Sequence, residues 1–394
     1  MRNKSDPVQA YRFFAILRKT LGIYLKSSFR VNLLNENTFD PPYILIGNHV
    51  TSYDPFIMAA YTGHPVNYVT SDSYFRNPFL RFLLDRLGSI PKTKFMTDTA
   101  TVKAMMSVIK KGGIVGVFPE GARSWDGHTL PLIYSTAKLI KLMKTDVIAA
   151  RMQGAMFTMP RWSRFRKKGM TFLSFEKVLA ASDMEGMSTS DIYSRITAAV
   201  SHDEYDFQRD HMNIYIGRKP AERLERFLYI CPSCMGFHTM YSKKDIFTCR
   251  GCGYTVRYNE YGFFEGNGLL FDSTRQWNIF QQEKIADLLN SGMEFTAREI
   301  LVHACLKDCK KTIKNKADTM HFSGNGFYLA FGGKRTSAFD IGRISGLNVQ
   351  ADQLLEFYAE NVLYRISFAG SDMSAYAAKK IIAEIIGRKE VKHG

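Results

Sequence analysis

The 394-residue sequence has no apolar run long enough to cross a bilayer. A membrane-spanning helix needs roughly 18 or more consecutive apolar residues, and no stretch approaches that length. The N-terminus also lacks the apolar core and the small-residue cleavage site of a secretory signal peptide. These absences predict a protein on the cytoplasmic side, which is peripheral or monotopic where it meets a membrane.

Acidic residues are few in comparison with basic ones. The chain has 37 Asp and Glu against 53 Lys and Arg, which gives a formal net charge of +16. A charge balance of this kind favours anionic partners, such as nucleic acid, anionic lipid or a phosphorylated substrate.

Two basic segments could contact an anionic membrane. Drawn as a helix, residues 11–30 place the basic side chains opposite one apolar face, which consists of Phe13, Phe14, Leu17, Leu21, Tyr24 and Leu25. Such a helix either lies in the headgroup layer or packs on its own domain. Residues 161–168 interleave five basic residues with two aromatic ones. They form either a loop that binds anionic lipid or a solvated turn with a buried Trp162.

Cysteine is also scarce, and its spacing is informative. Four of the six cysteines form two C-x2-C pairs that are fourteen residues apart: Cys231, Cys234, Cys249 and Cys252. This pattern is typical of a zinc ribbon. Four thiolates leave no open position on the ion, so the zinc should be structural; two disulfides, the alternative, are disfavoured in the cytosol. Cys305 and Cys309 lie in a predicted helix and are expected to be buried or idle thiols.

His49 and Asp54 follow a short apolar run, residues 43–46, that predicts a buried strand. A neutral imidazole at a strand end could take a proton from an alcohol. A carboxylate on its other nitrogen would fix the tautomer and stabilise the imidazolium. No serine or cysteine nucleophile is evident, so the pair predicts direct activation of a substrate hydroxyl. The alternative is a core histidine with a helix-capping aspartate.

A second polar motif, residues 119–124 (Pro-Glu-Gly-Ala-Arg-Ser), follows the predicted strand 114–118. Ligands bind beyond the carboxyl ends of strands in open α/β sheets, so both motifs should line one crevice. Arg123 offers a planar fork of donors for phosphate. Gly121 would let backbone amides approach a ligand. Glu120 could accept hydrogen bonds from a polyol or could anchor the loop.

The N-H-x4-D motif, followed some seventy residues later by F-P-E-G-x-R-S, resembles the glycerolipid (lysophospholipid) acyltransferase family over roughly residues 25–215. The resemblance implies acyl transfer from an acyl-CoA or acyl-carrier-protein thioester to the hydroxyl of 1-acyl-glycerol-3-phosphate, the step that forms phosphatidate. It implies that His49 is the general base and that Asp54 orients it. Glu120, Gly121 and Arg123 would bind the acceptor, and no catalytic cofactor is needed.

Two further blocks match the family with departures. In the stretch 88–94, Lys92 stands where the family commonly has an arginine that contacts the acceptor phosphate. Lysine is a point charge and not a fork, so the binding geometry would differ. The later block, residues 147–151, lacks the family's proline, and Ala122 replaces a common threonine.

Alternating strand and helix patterns predict an α/β domain with a mostly parallel sheet flanked by helices. Strands are predicted at 43–47, 66–70, 114–118, 147–151 and 170–176, and helices at 55–61, 76–87, 98–111, 132–143 and 188–206. The predicted organisation is an N-terminal amphipathic helical region (1–35), the acyltransferase domain (36–215), the zinc ribbon (227–258) and a small α+β C-terminal domain (259–394). Strands near 321–329, 337–347 and 361–368 with a helix at 372–386 make the last domain loosely similar to the pleckstrin-homology type.

Other functions stay open. The same base could serve glycerol-3-phosphate or another lysophospholipid as the acceptor. A non-catalytic membrane-associated adaptor could also use an acyltransferase fold, but it would not need a proton acceptor beside a carboxylate. Nucleic-acid binding through the ribbon and the positive charge is disfavoured, because it leaves the two polar motifs unexplained.

Overall fold

A computed structural model describes residues 7–92, 99–306, 312–332, 334–351, 353–360 and 362–393. The chain divides into two compact units. Unit 1 comprises Met1–Pro160 and Arg166–Ile216, and unit 2 comprises Arg161–Phe165 and Gly217–Gly394.

Unit 1 is built on a seven-stranded sheet in the order β1-β7-β6-β2-β5-β3-β4. The strands are β1 (Val31–Leu33), β2 (Tyr43–Gly47), β3 (Val66–Ser71), β4 (Ile90–Lys92), β5 (Ile114–Val117), β6 (Asp146–Gln153) and β7 (Thr171–Leu179). Every neighbouring pair is parallel except β6 and β7. The predicted mostly parallel sheet is therefore confirmed, and the five predicted strands are β2, β3, β5, β6 and β7.

Nine helices of unit 1 lie within the described residues. They are α1 (Pro7–Leu17), α2 (Ile23–Ser28), α3 (Asp54–Tyr61), α4 (Pro78–Arg86), α5 (Thr99–Lys110), α6 (Ser135–Met143), α7 (Ala155–Thr158), α8 (Thr189–Val200) and α9 (Glu204–His211). The helix predicted at 188–206 is split in two, because Ser188 caps α8 and Asp203 caps a new helix, α9. Among the described helices of the whole chain, none is both long and apolar enough to cross a membrane.

The core of unit 1 forms where helices cover the central strands. All five residues of β2 are buried, as expected for a parallel strand that is covered on both faces. Ile44 and Ile46 of β2 point into a cluster with Val115 of β5 and with residues of α5, α6 and α8. This packing fixes the strand ends that carry the two polar motifs.

The N-terminal helical region packs on its own unit. Within the face predicted to be apolar, Phe14 and Leu25 are buried, whereas Tyr24 is exposed. Ile16 and Ile23, which lie outside that face, are exposed as well. A π-helical turn, residues 18–22, joins α1 to α2, and the region contacts α3 and α4. Phe14 and Leu25 of the predicted apolar face therefore pack on unit 1, whereas Tyr24 of the same face stays exposed.

Segment 161–168 contains the buried tryptophan that one of its two predicted roles requires. Trp162 is fully buried and stacks on Phe227 of the same unit, with 5.2 Å between ring centroids. The Lys167 side chain is also buried. The observed structure corresponds to the alternative, a turn with a buried tryptophan.

Within its described residues, unit 2 combines two antiparallel sheets with two α-helices. The ribbon sheet has the order β11-β10-β9-β8, and the larger sheet has the order β15-β14-β13-β12-β18-β17-β16. The ribbon strands are β8 (Met240–Lys243), β9 (Ile246–Cys249), β10 (Thr255–Tyr258) and β11 (Phe264–Glu265). The larger sheet has β12 (Phe295–Leu306), β13 (Thr312–Ser323), β14 (Gly326–Phe331), β15 (Lys334–Ala338), β16 (Ile344–Gln350), β17 (Leu354–Ala359) and β18 (Val362–Ser367). The helices are α10 (Thr274–Asn290) and α11 (Ala375–His393).

The β-rich C-terminal region with its terminal helix is as predicted, with two local differences. The strand predicted at 337–347 is interrupted by the 3-10 turn Ile341–Arg343, which separates β15 from β16. The helix expected around Cys305 is wrong, because Cys305 lies in strand β12 and pairs with Leu363 of β18. Ile300 and Val302 are buried whereas Leu301 is exposed, which is the alternation of a strand. Cys309 lies outside the described residues.

Candidate active site

The two residues of the N-H-x4-D motif meet at the carboxyl end of β2. Nδ1 of His49 lies 2.8 Å from Oδ2 of Asp54. The carboxylate is fully buried at the start of α3 and also accepts hydrogen bonds from the backbone N–H groups of Val50 (2.7 Å) and Thr51 (2.9 Å). These contacts fold the loop tightly, so that the carboxylate orients the imidazole. The His49 side chain keeps 19% of its surface exposed.

The second motif holds the His49 backbone from both sides. The His49 N–H donates to Oε1 of Glu120 at 2.6 Å. The His49 carbonyl accepts from the Ser124 N–H at 2.9 Å. The loops after β2 and β5 are thus tied together at the histidine, which explains why both motifs belong to one site.

Glu120 links a third segment to this pair of loops. Its Oε2 accepts from the Leu130 N–H at 2.7 Å, and the side chain is buried. Burial raises the pKa of Glu120 to about 8, although the two N–H donors favour its charged form. Of the two roles expected for Glu120, anchoring of the loop is the one that its contacts describe.

Three aromatic rings stack across the strand ends beside Asp54. The His49 imidazole stacks on Phe118, with 4.1 Å between centroids and 19° between planes. Phe118 stacks in turn on Tyr68 of β3, at 5.6 Å and 8°. Gly116 of β5 makes room for the Tyr68 ring, because a Cβ there would lie 2.4 Å from Cδ1 of Tyr68. Stacking on Phe118 therefore fixes the plane of the imidazole ring, and the hydrogen bond to Asp54 fixes which way Nδ1 points within that plane.

Asn48 fastens the same loop to β6. Its Nδ2 donates to the Met152 carbonyl at 2.7 Å, and its Oδ1 accepts from the Met152 N–H at 2.8 Å. Just beyond the end of β2, this buried side chain thus replaces the main-chain hydrogen bonds that would pair the next residue with β6. The motif thus begins with a residue that positions the histidine relative to a third strand.

The remaining predicted acceptor-binding residues lie at the same edge of the sheet. Gly121 has φ +68°, a left-handed conformation that favours glycine, and Arg123 is half-buried in the same loop. Lys92 is half-buried at the end of the outer strand β4. That strand is three positions from β2, or about 14 Å across the sheet. The structure therefore brings Glu120 to the His49–Asp54 pair and leaves Lys92 farther out.

The four paired cysteines of unit 2 form one cluster. Their sulfur atoms all lie within 4.8 Å of one another. Cys231 and Cys252, and likewise Cys234 and Cys249, are 3.7 Å apart. Tetrahedral zinc with Zn–S bonds of ~2.3 Å would separate its sulfurs by about 3.8 Å. The four cysteines are thus close enough to bind one metal ion, and 3.7 Å is far beyond the S–S length of a disulfide.

The residues that support the His49–Asp54 pair are not evident from the sequence alone. Neither Phe118 nor Tyr68 was expected to contact the site, because their stacking depends on the strand order. One signal was present: a glycine inside a strand pattern, Gly116, indicates the close approach of another group.

Comparison with known proteins finds similarity in the part of the chain that contains both motifs. Residues 30–153 match the acyltransferase family model, a range that contains both motifs. A chloroplastic 1-acyl-sn-glycerol-3-phosphate acyltransferase from Brassica napus is 24% identical over 39% of this chain and 45% of its own length. A 1-acyl-sn-glycerol-3-phosphate acyltransferase from Borreliella burgdorferi is 33% identical over 27% of this chain and 43% of its own length. The chain thus spans less than half the length of these relatives.

Among solved structures, the 1-acyl-sn-glycerophosphate (LPA) acyltransferase PlsC from Thermotoga maritima aligns with a TM-score of 0.39 and 15% identity. The alignment covers 50% of this chain and 95% of that one. Together, the two motifs, their meeting at one sheet edge and the match of residues 30–153 lead to one conclusion. Residues 30–153 of unit 1 are similar to the acyltransferase family and to the 1-acyl-sn-glycerol-3-phosphate acyltransferases.

Proposed function

We propose that the protein transfers a fatty acyl group from a thioester to the free hydroxyl of 1-acyl-glycerol-3-phosphate, with His49 as the general base. The observation that carries this proposal is the 2.8 Å contact between Nδ1 of His49 and the buried Asp54 carboxylate. With Nδ1 hydrogen-bonded, Nε2 is the nitrogen that accepts the substrate proton. The names of the relatives support the choice of acceptor.

In the proposed reaction, His49 takes one proton from the acceptor hydroxyl and gives it to the leaving thiolate. Nε2 takes the hydroxyl proton while the substrate oxygen attacks the thioester carbonyl, and a C–O bond forms. Asp54 stabilises the resulting imidazolium. Collapse of the tetrahedral intermediate breaks the C–S bond, and the departing thiolate takes the proton back from His49. No redox or metal step is needed in this scheme.

Positive side chains at the same sheet edge fit an acceptor that carries a phosphate. Arg123, on the loop after β5, can contact phosphate through two donors, and Lys92 adds a second cation from β4. The donor would be acyl-CoA or an acyl-carrier-protein thioester. Glycerol-3-phosphate or another lysophospholipid would use the same base, so acceptor assays should compare all three.

Replacement of His49 tests the proposal. We expect His49→Ala to lower kcat by at least ~100-fold, because general-base catalysis contributes about that much or more. His211→Ala, on helix α9 of the same unit, is the matched control and should keep the parent rate. Product formation from radiolabelled acyl-CoA and lysophosphatidate is the measurement. Equal rates for the parent and His49→Ala would exclude His49 as the base.

We further propose that Cys231, Cys234, Cys249 and Cys252 hold one structural zinc ion. The sulfur spacing supports this, and so do an N–H from Gly251 and the Thr239 hydroxyl, which lie 3.3 Å and 3.2 Å from the Cys249 sulfur. Such donors stabilise thiolates that ligate a metal. Metal analysis of the purified protein should find about one zinc per chain. Folded protein without any bound metal would contradict this assignment.

We also infer that unit 1 works at the cytoplasmic side of an anionic membrane, where its lipid acceptor resides. The exposed side of the N-terminal helices supports this, since Ile16, Ile23 and Tyr24 stand there among basic residues. Residues 7–30 contain five Lys and Arg and no acidic residue. Each basic residue near such a surface contributes about 1 kcal/mol to binding.

A further inference from the structure

Helix α4 presents bulky aromatic side chains to solvent. Phe79 is 75% exposed, Phe82 is 54% exposed, and Tyr74, just before the helix, is exposed too. Phe79 and Phe82 are three positions apart and therefore lie on the same side of the helix. Isolated exposed apolar residues are ordinary, but three aromatics within nine positions form a patch that indicates a partner.

The leucines of α4 already provide the contact with its own unit. Leu80, Leu83 and Leu84 are half-buried, whereas no residue of the helix is fully buried. The leucines thus account for the packing of the helix, and the two phenylalanines are not needed for it. Asn77 caps the helix by accepting the N–H groups of Phe79 and Leu80, so the Phe79 end is well fixed.

The positive charge around this patch favours an anionic partner. Segment 72–86 contains three arginines and two aspartates, and Arg86 lies 4.9 Å from the centre of the Phe82 ring. The neighbouring helix α1, which contacts α4, belongs to segment 7–30 with its five cations and no acid. A second copy would bring two positive surfaces together, which is unfavourable. An anionic lipid surface matches both the charge and the aromatic side chains.

The position of α4 relates this surface to the candidate active site. The 3-10 turn Asp72–Arg76, which leads into α4, begins directly after β3 and contacts β4. The carboxyl ends of β3 and β4 lie on the same edge of the sheet as His49 after β2 and Glu120 after β5. A bilayer in contact with this segment would therefore lie near the edge where a lipid acceptor must enter.

We propose that Phe79 and Phe82 of α4 insert into the interface of an anionic bilayer and that α4 is a second membrane contact besides the N-terminal helices. This inference rests on the proposed function and adds to it the surface through which unit 1 contacts the bilayer that holds the lipid acceptor. It does not require the protein to be active, because binding is measured without substrates.

The first test is co-sedimentation with vesicles of phosphatidylcholine containing phosphatidylglycerol. Phe79→Ser/Phe82→Ser should weaken binding about tenfold or more, since each ring contributes apolar area buried in the interface. Leu270→Ser/Ile279→Ser is the matched control, as it removes two exposed apolar side chains from unit 2 and should bind like the parent. Equal binding of parent and α4 variant would overturn the proposal. Thermal unfolding shows whether the variant is folded.

The second test detects insertion directly and does not depend on the loss of two side chains. In Phe82→Trp, the new indole should be quenched by lipids brominated along the acyl chain. The three native tryptophans, Trp125, Trp162 and Trp277, are all buried and should give little quenching. Absence of additional quenching in vesicle-bound Phe82→Trp would overturn the insertion.

The outcomes separate this inference from its alternatives. If the α4 variant turns a dimer into a monomer and binds vesicles like the parent, the patch serves a second copy and the proposal fails. If vesicle binding depends on α4 but His49→Ala retains the parent rate, the lipid contact stands and the proposed catalytic role of His49 fails. If Phe79→Ser/Phe82→Ser instead loses turnover of lysophosphatidate in vesicles and keeps turnover of a water-soluble short-chain lysophosphatidate, that result supports the lipid contact of α4 and the proposed acyl transfer together.

Discussion

Glu120 is a buried carboxyl group that should make the stability of the protein depend on pH. Its pKa rises from the ordinary value of 4.5 to about 8 in the folded protein, chiefly through burial. The fold therefore gains its full contribution from Glu120 below about pH 4.5 and loses it as the pH rises through 8. We expect urea unfolding to show stability that declines across this window. In Glu120→Gln, which cannot ionise, this part of the decline should disappear. Identical slopes for both proteins would show that Glu120 keeps its ordinary pKa.

At the residue scale, sequence predicts partners that are close along the chain and misses those that are distant. His49 and Asp54 are five positions apart, so a single loop was enough to pair them, and their contact is confirmed. Glu120 was placed in the same crevice, but its bonds to the His49 and Leu130 N–H groups depend on the exact path of three loops. Such paths follow from tertiary packing, which a local motif does not encode.

At the scale of elements, the strands of the parallel sheet were predictable because they are buried apolar runs bounded by polar loops. The same reasoning failed at β12, where Cys305 was placed in a helix. Cys305 and Cys309 are four positions apart, a spacing that predicts one face of a helix. In the structure, β12 pairs with β13 and β18, and this pairing gives residues 300–302 the alternating burial of a strand. Long-range pairing overrides local spacing in strands of this kind.

The ring stack across the ends of β2, β5 and β3 should position the imidazole of His49, the proposed general base. Replacing Phe118 by Leu removes a flat partner at 4.1 Å and lets the His49 ring tilt. Small misplacements of reacting groups cost one to two orders of magnitude in rate, so we expect a fall in kcat of roughly tenfold, with the KM for the acceptor little changed.

Two matched variants identify the cause of that fall. Phe118→Tyr keeps the ring and should retain most of the rate. Tyr68→Phe keeps the outer ring of the stack and should do the same. Steady-state kinetics over a range of pH is the measurement, because a tilted imidazole should also shift the acidic limb of the kcat/KM profile, which reports protonation of the base. A Phe118→Leu enzyme with parent kcat and an unchanged pH profile would show that stacking has no such role.

At the scale of the whole molecule, the cysteine cluster is part of the core of unit 2. The indole N–H of Trp277 in α10 donates to the Ile230 carbonyl at 2.8 Å, next to Cys231. Between the two cysteine pairs, Phe237 packs on Phe295 at the start of β12, with 4.7 Å between centroids. The ribbon therefore supports the larger sheet as well as itself. The cysteine spacing predicted that the four thiols would cluster, but nothing in it indicated this packing.

Removal of the proposed zinc ion should consequently loosen more of unit 2 than the ribbon. His238, beside Phe237, accepts a hydrogen bond from the Ser374 N–H at 3.3 Å, directly before α11. When a chelator releases the metal, four thiolates lose their shared ion and the loop that carries these contacts loses its anchor. We expect amide hydrogen exchange to quicken in β8–β10, at the start of β12 and at the start of α11, together with a red shift of Trp277 emission.

Strands β2 and β5 of unit 1 are the internal reference in the same exchange experiment, because their hydrogen bonds lie in a separate compact unit. Their exchange should stay as it was, and readdition of zinc should restore protection in unit 2. If exchange quickened only within residues 231–252, the metal would stabilise the ribbon alone, and the contacts of Phe237 and His238 would not transmit its loss. If β2 and β5 also lost protection, the two units would not unfold separately, and the metal would support the entire chain.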